Sequence, residues 1–362
     1  VAFLGGEPMP HNILDHSQYT IQLYVQDIDS GELYDFSKLC ESVIWQTHRA
    51  ASQPGSLEVL LKEGSQNRDF AINPGSFMRF GVNGEDYFYG RIQEVELLNS
   101  GLEGVSYRIM AHDSLSLLKS VESMYRPVGM SASEFFMSIV TRFAERGFKG
   151  VVKEPSQVGL DDYYFTTSSL YSMIKDTIRD THVAEQGTVQ YMIRDNLGTL
   201  EFRELMALRK PIILGDESFT DSYAYGVTIN KQTYNVIKVI RDNEEIGMRD
   251  VWQRYDSNNI ARWGWKQLVV EADDHMSDAE IRDKIDLHLE AMNHPRRTLK
   301  LTAIGINGLQ AGDGIQIRAD RANIDHAIWI ESCTHVYTMQ SHKMDLELYL
   351  FKGEGGNGAN GD

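Results

Sequence analysis

Alternation governs the first third of the chain. Tyr19, Ile21, Leu23 and Val25 are separated by polar neighbours, the period of two expected of a strand with one buried face. Val43-Ile44-Trp45 continues the theme. Leu57, Val59 and Leu61 line one side of a further strand after a turn at Pro54-Gly55. A second turn at Pro74-Gly75 precedes Phe77-Met78-Arg79-Phe80. Asn83-Gly84 marks a two-residue hairpin, because both residues tolerate the positive φ of a type I′ turn. Its return strand is Tyr87-Phe88-Tyr89-Gly90-Arg91-Ile92, extended by Val95 and Leu97. Tyr107, Ile109 and Ala111 supply one more. Short strands at regular spacing predict an antiparallel barrel or sandwich. Residues 1–17 mix Gly, Pro, His and Asn without period and read as an extended arm.

The period then changes. Ser131-Ala132-Ser133-Glu134 is a capping box, a serine cap with a glutamate three residues on. The helix it starts carries Phe135, Phe136, Ile139, Val140 and Phe143 and stops near Gly147. A second helix over roughly Ser169 to Thr181 has Leu170, Ile174 and Ile178 at helical spacing. Residues 191–202 read as a hairpin turning at Asn196 to Gly198. Strands return from about residue 221: Ala224 to Asn230, Val236 to Arg241 and Val251 to Tyr255. Ser277-Asp278-Ala279-Glu280 is a second capping box, opening a helix over 277–294 that Pro295 ends. Leu299, Leu301 and Ala303 alternate, and Gly312-Asp313-Gly314 turns the chain into Ile315 and Ile317. The last strands are Ala327 to Glu331 and Met344 to Leu350.

The expected fold is therefore mainly β, in the α+β class. Two antiparallel β-barrel domains, 18–118 and 221–352, flank an α+β insertion at 119–220. The Gly-rich tail 353–362 reads as disordered.

Composition narrows the function. Apolar residues make up 42% of the 362, enough for a sizeable core. A net charge of −17 argues against tight nucleic-acid binding, which needs clustered Lys and Arg. The longest apolar runs, such as Lys210 to Leu214, fall far short of the ~18 to 20 residues of a membrane span, so no membrane insertion is expected. Cys40 and Cys333 lie far apart without CxxC spacing, which supports neither a disulfide framework nor a zinc-thiolate site.

Candidate chemistry is sparse. Asp161-Asp162 before Tyr163-Tyr164 has the composition of a carboxylate pair, but neighbours in a strand face opposite ways. Asp273-Asp274-His275 sits just before Ser277, where acidic charge favours a helix N-terminus. His288 and His294 do not share a helix face, and His335 and His342 have no sequential partner of metal-ligand type. His112-Asp113-Ser114 holds the residue types of a catalytic triad in a row. A triad is built in space, so Asp113 reads instead as a cap for the following turn. No phosphate-binding glycine loop is present. Trp252, Trp263, Trp265, Tyr255 and Tyr225 suggest a sugar-stacking platform by type, although aromatics on strands more often serve cores and interfaces. No catalytic, cofactor-binding or metal residue is assigned, and no cofactor is expected.

Several segments carry a family resemblance. In the first third these are Ile44-Trp45, Arg49, Pro54-Gly55-Ser56-Leu57-Glu58, Phe88-Tyr89-Gly90-Arg91-Ile92 and Tyr107 to Leu115. In the last third they are Tyr255 to Gly264, Gly305 to Ile317, Trp329-Ile330-Glu331-Ser332 and Met344 to Leu348. Their order resembles the baseplate hub proteins of contractile phage tails and phage-tail-like particles, in the defective Bacillus prophage and clostridial group. Those proteins are related to the hub domains of type VI secretion spikes. The resemblance spans roughly Tyr19 to Leu350 and is weakest in the middle. It implies tail-tube-like barrels and a homotrimer forming a pseudo-sixfold ring that joins the tail tube to the central spike. Implied partners are the spike, tail tube or tube-initiator proteins, and a LysM-type baseplate protein. The implied location is a baseplate assembled in the bacterial cytoplasm. Such a part is a virion structural protein, not an enzyme. The rival readings are a tail-associated cell-wall hydrolase, marked by paired carboxylates in a cleft, and a carbohydrate-binding adhesin module.

Overall fold

The computed structural model describes residues 20–50, 53–62, 72–99, 104–185, 189–216, 218, 220–230, 233–243, 248–272 and 276–350. The expected arm at 1–17 and tail at 353–362 lie outside them, as does Asp273-Asp274-His275.

The first third supplies β1 (Ile21–Gln26), β2 (Leu33–Asp35), β3 (Cys40–His48), β4 (Ser56–Lys62), β5 (Phe77–Val82), β6 (Glu85–Asn99) and β7 (Val105–His112), then a 3-10 turn at Ser114–Lys119. The middle adds β8 (Val121–Arg126), α1 (Ala132–Arg142), β9 (Gly150–Val152), β10 (Tyr163–Ser169), α2 (Leu170–Ala184), β11 (Tyr191–Asn196), β12 (Thr199–Glu204) and β13 (Arg209–Gly215). The rest comprises β14 (Thr220–Thr228), β15 (Val236–Asn243), β16 (Met248–Tyr255), α3 (Ser257–Trp263), β17 (Gln267–Glu271), α4 (Asp278–Met292), β18 (Arg296–Ile304), β19 (Gly314–Ala319), β20 (Ile324–Thr338) and β21 (His342–Leu350).

The chain divides into two units. One holds Val1–Tyr223 with Lys300–Tyr349, the other Ala224–Leu299 with Leu350–Asp362. The divisions fall inside β14 and β18.

In the first unit one sheet runs β18-β21-β20-β3-β4-β7-β6-β5-β1-β2, with β19 added to β20 and β13 to β19. The mainly β, α+β class expected from the sequence holds. The closed barrels do not: among the described residues the strand path is open, and β2 pairs only with β1. The first and last thirds share this sheet, because β3 and β20 pair antiparallel from Ser42↔Thr338 to His48↔Ser332. Alternation explains the packing. Val43 and Trp45 of β3, Leu57, Val59 and Leu61 of β4 and Ile109 and Ala111 of β7 all face one core, which Tyr337 of β20 enters. The β5–β6 hairpin turns at Asn83 (φ 53°) and Gly84 (φ 87°), as their sequence demands.

A second core in this unit lies under α1 and α2. Phe135, Phe136 and Ile139 of α1 meet Leu170, Met173 and Ile174 of α2 and Phe202 of β12. Ser131 and Glu134 form the reciprocal cap that starts α1, and Ser169 caps α2. Strands β11 and β12 form a hairpin, with β9 parallel to β12; β8 and β10 form a separate ribbon.

In the second unit β15 lies between β16 and β17. Ile237 and Val239 of β15 pack on Ile281 and Ile285 of α4, which the Ser277–Glu280 capping box opens.

Candidate functional site

Several turns of the first unit converge on a cavity of about 200 Å³. Its walls include Trp45, Gly55, Tyr87, Asp113, Arg194, Asp195 and Gln310. Asp113 follows the last residue of β7 and is 6% exposed. Its Oδ2 accepts from the Gly55 N–H (2.9 Å) and its Oδ1 from the Leu115 N–H (3.1 Å). The second bond caps the 3-10 turn, the role expected of Asp113 from the sequence. Asp195, at the end of β11, accepts from the Ser114 N–H (3.3 Å) and the Gly198 N–H (3.0 Å). A Cβ on Gly55 would strike the Asp113 carboxylate, so only glycine lets these turns meet.

Burial governs the electrostatics. It pushes the Asp195 carboxyl up to about 6 and raises Asp113 as well, with the neighbouring Asp195 charge adding to the effect. Asp313, fully buried in the 305–314 segment, accepts from Arg194 Nη1 (3.1 Å) and from the Gln310 N–H (3.2 Å). Two carboxyls with raised pKa in a cavity have the look of an acid–base pair. Their bonding points elsewhere. Each of the four oxygens of Asp113 and Asp195 takes a backbone N–H from a turn that builds the cavity. A hydrolytic acid must present its carboxyl to substrate. The cluster works as a joint that ties the β4 and β7 ends to the β11–β12 hairpin, while Arg194 of the same hairpin ties it to the 305–314 segment.

A second buried cluster was not foreseen. Cys333, His335 and Tyr337 of β20 are fully buried, and His342 of β21 is 5% exposed. His335 Nε2 lies 2.6 Å from the Leu309 carbonyl oxygen, which can only accept. His335 Nδ1, 2.9 Å from His342 Nε2, is thereby the acceptor of that bond. Cys333 Sγ lies 3.2 Å from His335 Nε2 and 3.5 Å from the Leu309 oxygen. Burial lowers His335 to about 4 and raises the Cys333 thiol well above its usual value. A thiol so held is not a nucleophile, since the thiolate is the reactive form. The signal in sequence was the turn at 338–341. It sets Tyr337 opposite His342 and brings the two histidines to one face.

The other candidates scatter. Asp161 and Asp162 precede β10 and are exposed. The Asp161 carbonyl accepts from Arg126 Nε (3.2 Å), and Asp162 Oδ2 accepts from the Tyr125 hydroxyl (3.2 Å). His294 lies beyond the last residue of α4. Trp252 and Tyr255 sit three apart on β16 and so face opposite sides of the sheet. Trp252 packs toward α4 with the Arg241 guanidinium 4.9 Å from its ring, while Trp265 is exposed and donates to Gln267 Oε1 (3.3 Å). Trp252 and Tyr255 therefore share no platform. Among the described residues, no three His, Cys, Asp or Glu side chains form a metal set, and no helix is long and apolar enough to cross a membrane.

Solved structures share this fold. The prophage MuSo2 43 kDa tail protein from Shewanella oneidensis is similar over 91% of this chain and 98% of its own, at TM-score 0.65 and 10% identity. A tail protein from Neisseria meningitidis MC58 is similar over 92% and 98%, at TM-score 0.64 and 12% identity. Prophage tail protein gp18 from Listeria monocytogenes EGD-e is similar over 90% and 94%, at TM-score 0.53 and 12% identity. No curated protein sequence matches significantly. The family described as YQBQ-like matches residues 43–349, most of the chain, and the protein belongs to that family.

Proposed function

We propose that the protein is a structural component of a phage or phage-tail-like baseplate, and within it the hub. In this reading three copies form a pseudo-sixfold ring between the tail tube and the central spike. The ring contacts tube or tube-initiator proteins and a LysM-type baseplate protein, and the particle is assembled in the cytoplasm. The three-region division at 118 and 220 is our proposal for its working modules. It performs no catalysis.

The observation that carries this reading is a fold shared over nine-tenths of the chain with phage tail proteins, at nearly full length of each. Two features are consistent with it. The sheet of the first unit ends on β2, whose Leu33 is exposed, and an open edge is a site for pairing with a neighbouring chain. The buried carboxyls and histidines are spent on joints, as a rigid assembly part requires.

In-frame deletion of the gene in the producing bacterium tests the reading. The expected result is loss of complete tails. Complete, functional tails made without the protein would overturn it.

A further inference from the structure

The ribbon of β8 and β10 has two unlike faces. Met124 and Phe165 on the inner face are buried, and so is Arg126. The Arg126 guanidinium donates to Thr177 Oγ1 (3.1 Å) and Asp180 Oδ2 (3.2 Å) of α2. On the outer face Tyr125 and Tyr164 stand directly opposite one another across the strands. They are 52% and 61% exposed. Val121 is exposed on the same face, and Tyr163 and Val128 are exposed at the ribbon's end. Several large apolar side chains on one short ribbon, all in solvent, mark an interaction surface rather than ordinary scatter.

The charge of this face selects its partner. Asp162 holds its carboxylate against the Tyr125 hydroxyl, and Asp161 is exposed beside it. The nearby cations point elsewhere: Arg126 lies inside, and Arg146 is paired with Glu122. Two tyrosine rings with a carboxylate at their rim attract a cation, through the ring quadrupoles and the full negative charge together. The same ribbon carries a register shift between Phe165 and Ser168, where β-branched Thr167 holds φ 46°. Such strain persists only where the surrounding structure enforces it.

We propose that the outer face of the β8–β10 ribbon docks a partner protein that presents an Arg or Lys within an apolar segment. The cation sits on the Tyr125 and Tyr164 rings against the Asp162 carboxylate, and the flanking apolar side chains cover Val121 and Val128. The assembly reading supplies the setting, a neighbouring baseplate protein. The chemistry of the face does not depend on it.

The test titrates the full-length protein with three probes: a pentapeptide alternating leucine and arginine, its leucine–glutamate counterpart, and a chitin oligosaccharide. NMR shifts report binding. The basic peptide is expected to bind at least roughly tenfold tighter than the acidic one, a preference weakened by salt. The double variant Tyr125→Ala/Tyr164→Ala is expected to lose that preference with its melting temperature unchanged. Should it fold poorly, Asp162→Lys, at an exposed site, replaces it. Equal binding of both peptides, no saturable binding, or binding untouched by the variants overturns the proposal. Binding of the oligosaccharide alone also overturns it, in favour of a glycan site. A protein absent from tail particles that still binds the basic peptide would sink the structural reading and leave this one standing.

Discussion

Gly305 has room for nothing larger than hydrogen on its Cα, because the His342 ring occupies the space a Cβ would take. The ring cannot retreat easily: it stacks 3.8 Å from the Tyr337 ring and bonds to His335. Gly305→Ala should destabilise the fold by about 1 to 3 kcal/mol in urea unfolding. An unchanged midpoint would show that the cluster is loosely packed. His335, lowered to about 4, should show no NMR titration of its ring above about pH 5 in the folded protein. Its neutral form is favoured by folding, so this residue's contribution is complete above pH 6.5 and is lost as pH falls toward 4. Asp195 acts in the opposite sense. Its folded pKa is raised to about 6, so its contribution is present at low pH and is lost as pH rises through 6. The stability of the native protein relative to Asp195→Asn should therefore improve by about 2 to 3 kcal/mol as pH falls from 7 to 4. A difference that does not move with pH would contradict a carboxyl raised by burial. The capping role of Asp113 was legible in the sequence, since an acid before a short turn has few other uses. Its proximity to Asp195 was not, because 81 residues separate Ser114 from Asp195 and only the folded hairpin joins them.

At the scale of elements, local rules worked where local chemistry decides. Both capping boxes, the Asn83-Gly84 turn and the hairpin turn at Leu197 and Gly198 stand where the sequence places them. Ser131 is buried and its Oγ also lies 3.2 Å from Ser133 Oγ, whereas the Ser277 cap is exposed. Ser131→Ala should therefore cost about 1 to 2 kcal/mol and Ser277→Ala nearer the low end of ~0.5 to 2, read by chemical denaturation. Equal losses would mean that burial adds nothing to the first cap. Sequence reading missed α3, a short helix whose Asp256 cap accepts from Asn258 and Asn259 N–H groups. It also missed the parallel pairings of β9 with β12, β13 with β19 and β15 with β17. Parallel pairs need crossovers, and period-two alternation carries no information about which distant strand is the neighbour.

The whole molecule turns on the pairing of β3 with β20, strands almost the full chain apart. Alternation in each third was readable, yet it suggested two closed barrels because each third was judged alone. With β20 removed, β3 presents a bare edge over Ser42 to His48. A fragment ending before residue 324 should therefore self-associate or precipitate, and size-exclusion chromatography would show it. A stable monomeric fragment would mean that the shared sheet is dispensable. The proposed assembly role rests on a fold-level likeness to tail proteins that reaches nearly the full length of each chain. Electron microscopy of tail particles from the producing bacterium, classified without imposed symmetry, tests that claim most directly. A threefold ring of this protein between the tube and the spike is the expected result. Intact baseplates in which no density fits the protein would contradict it.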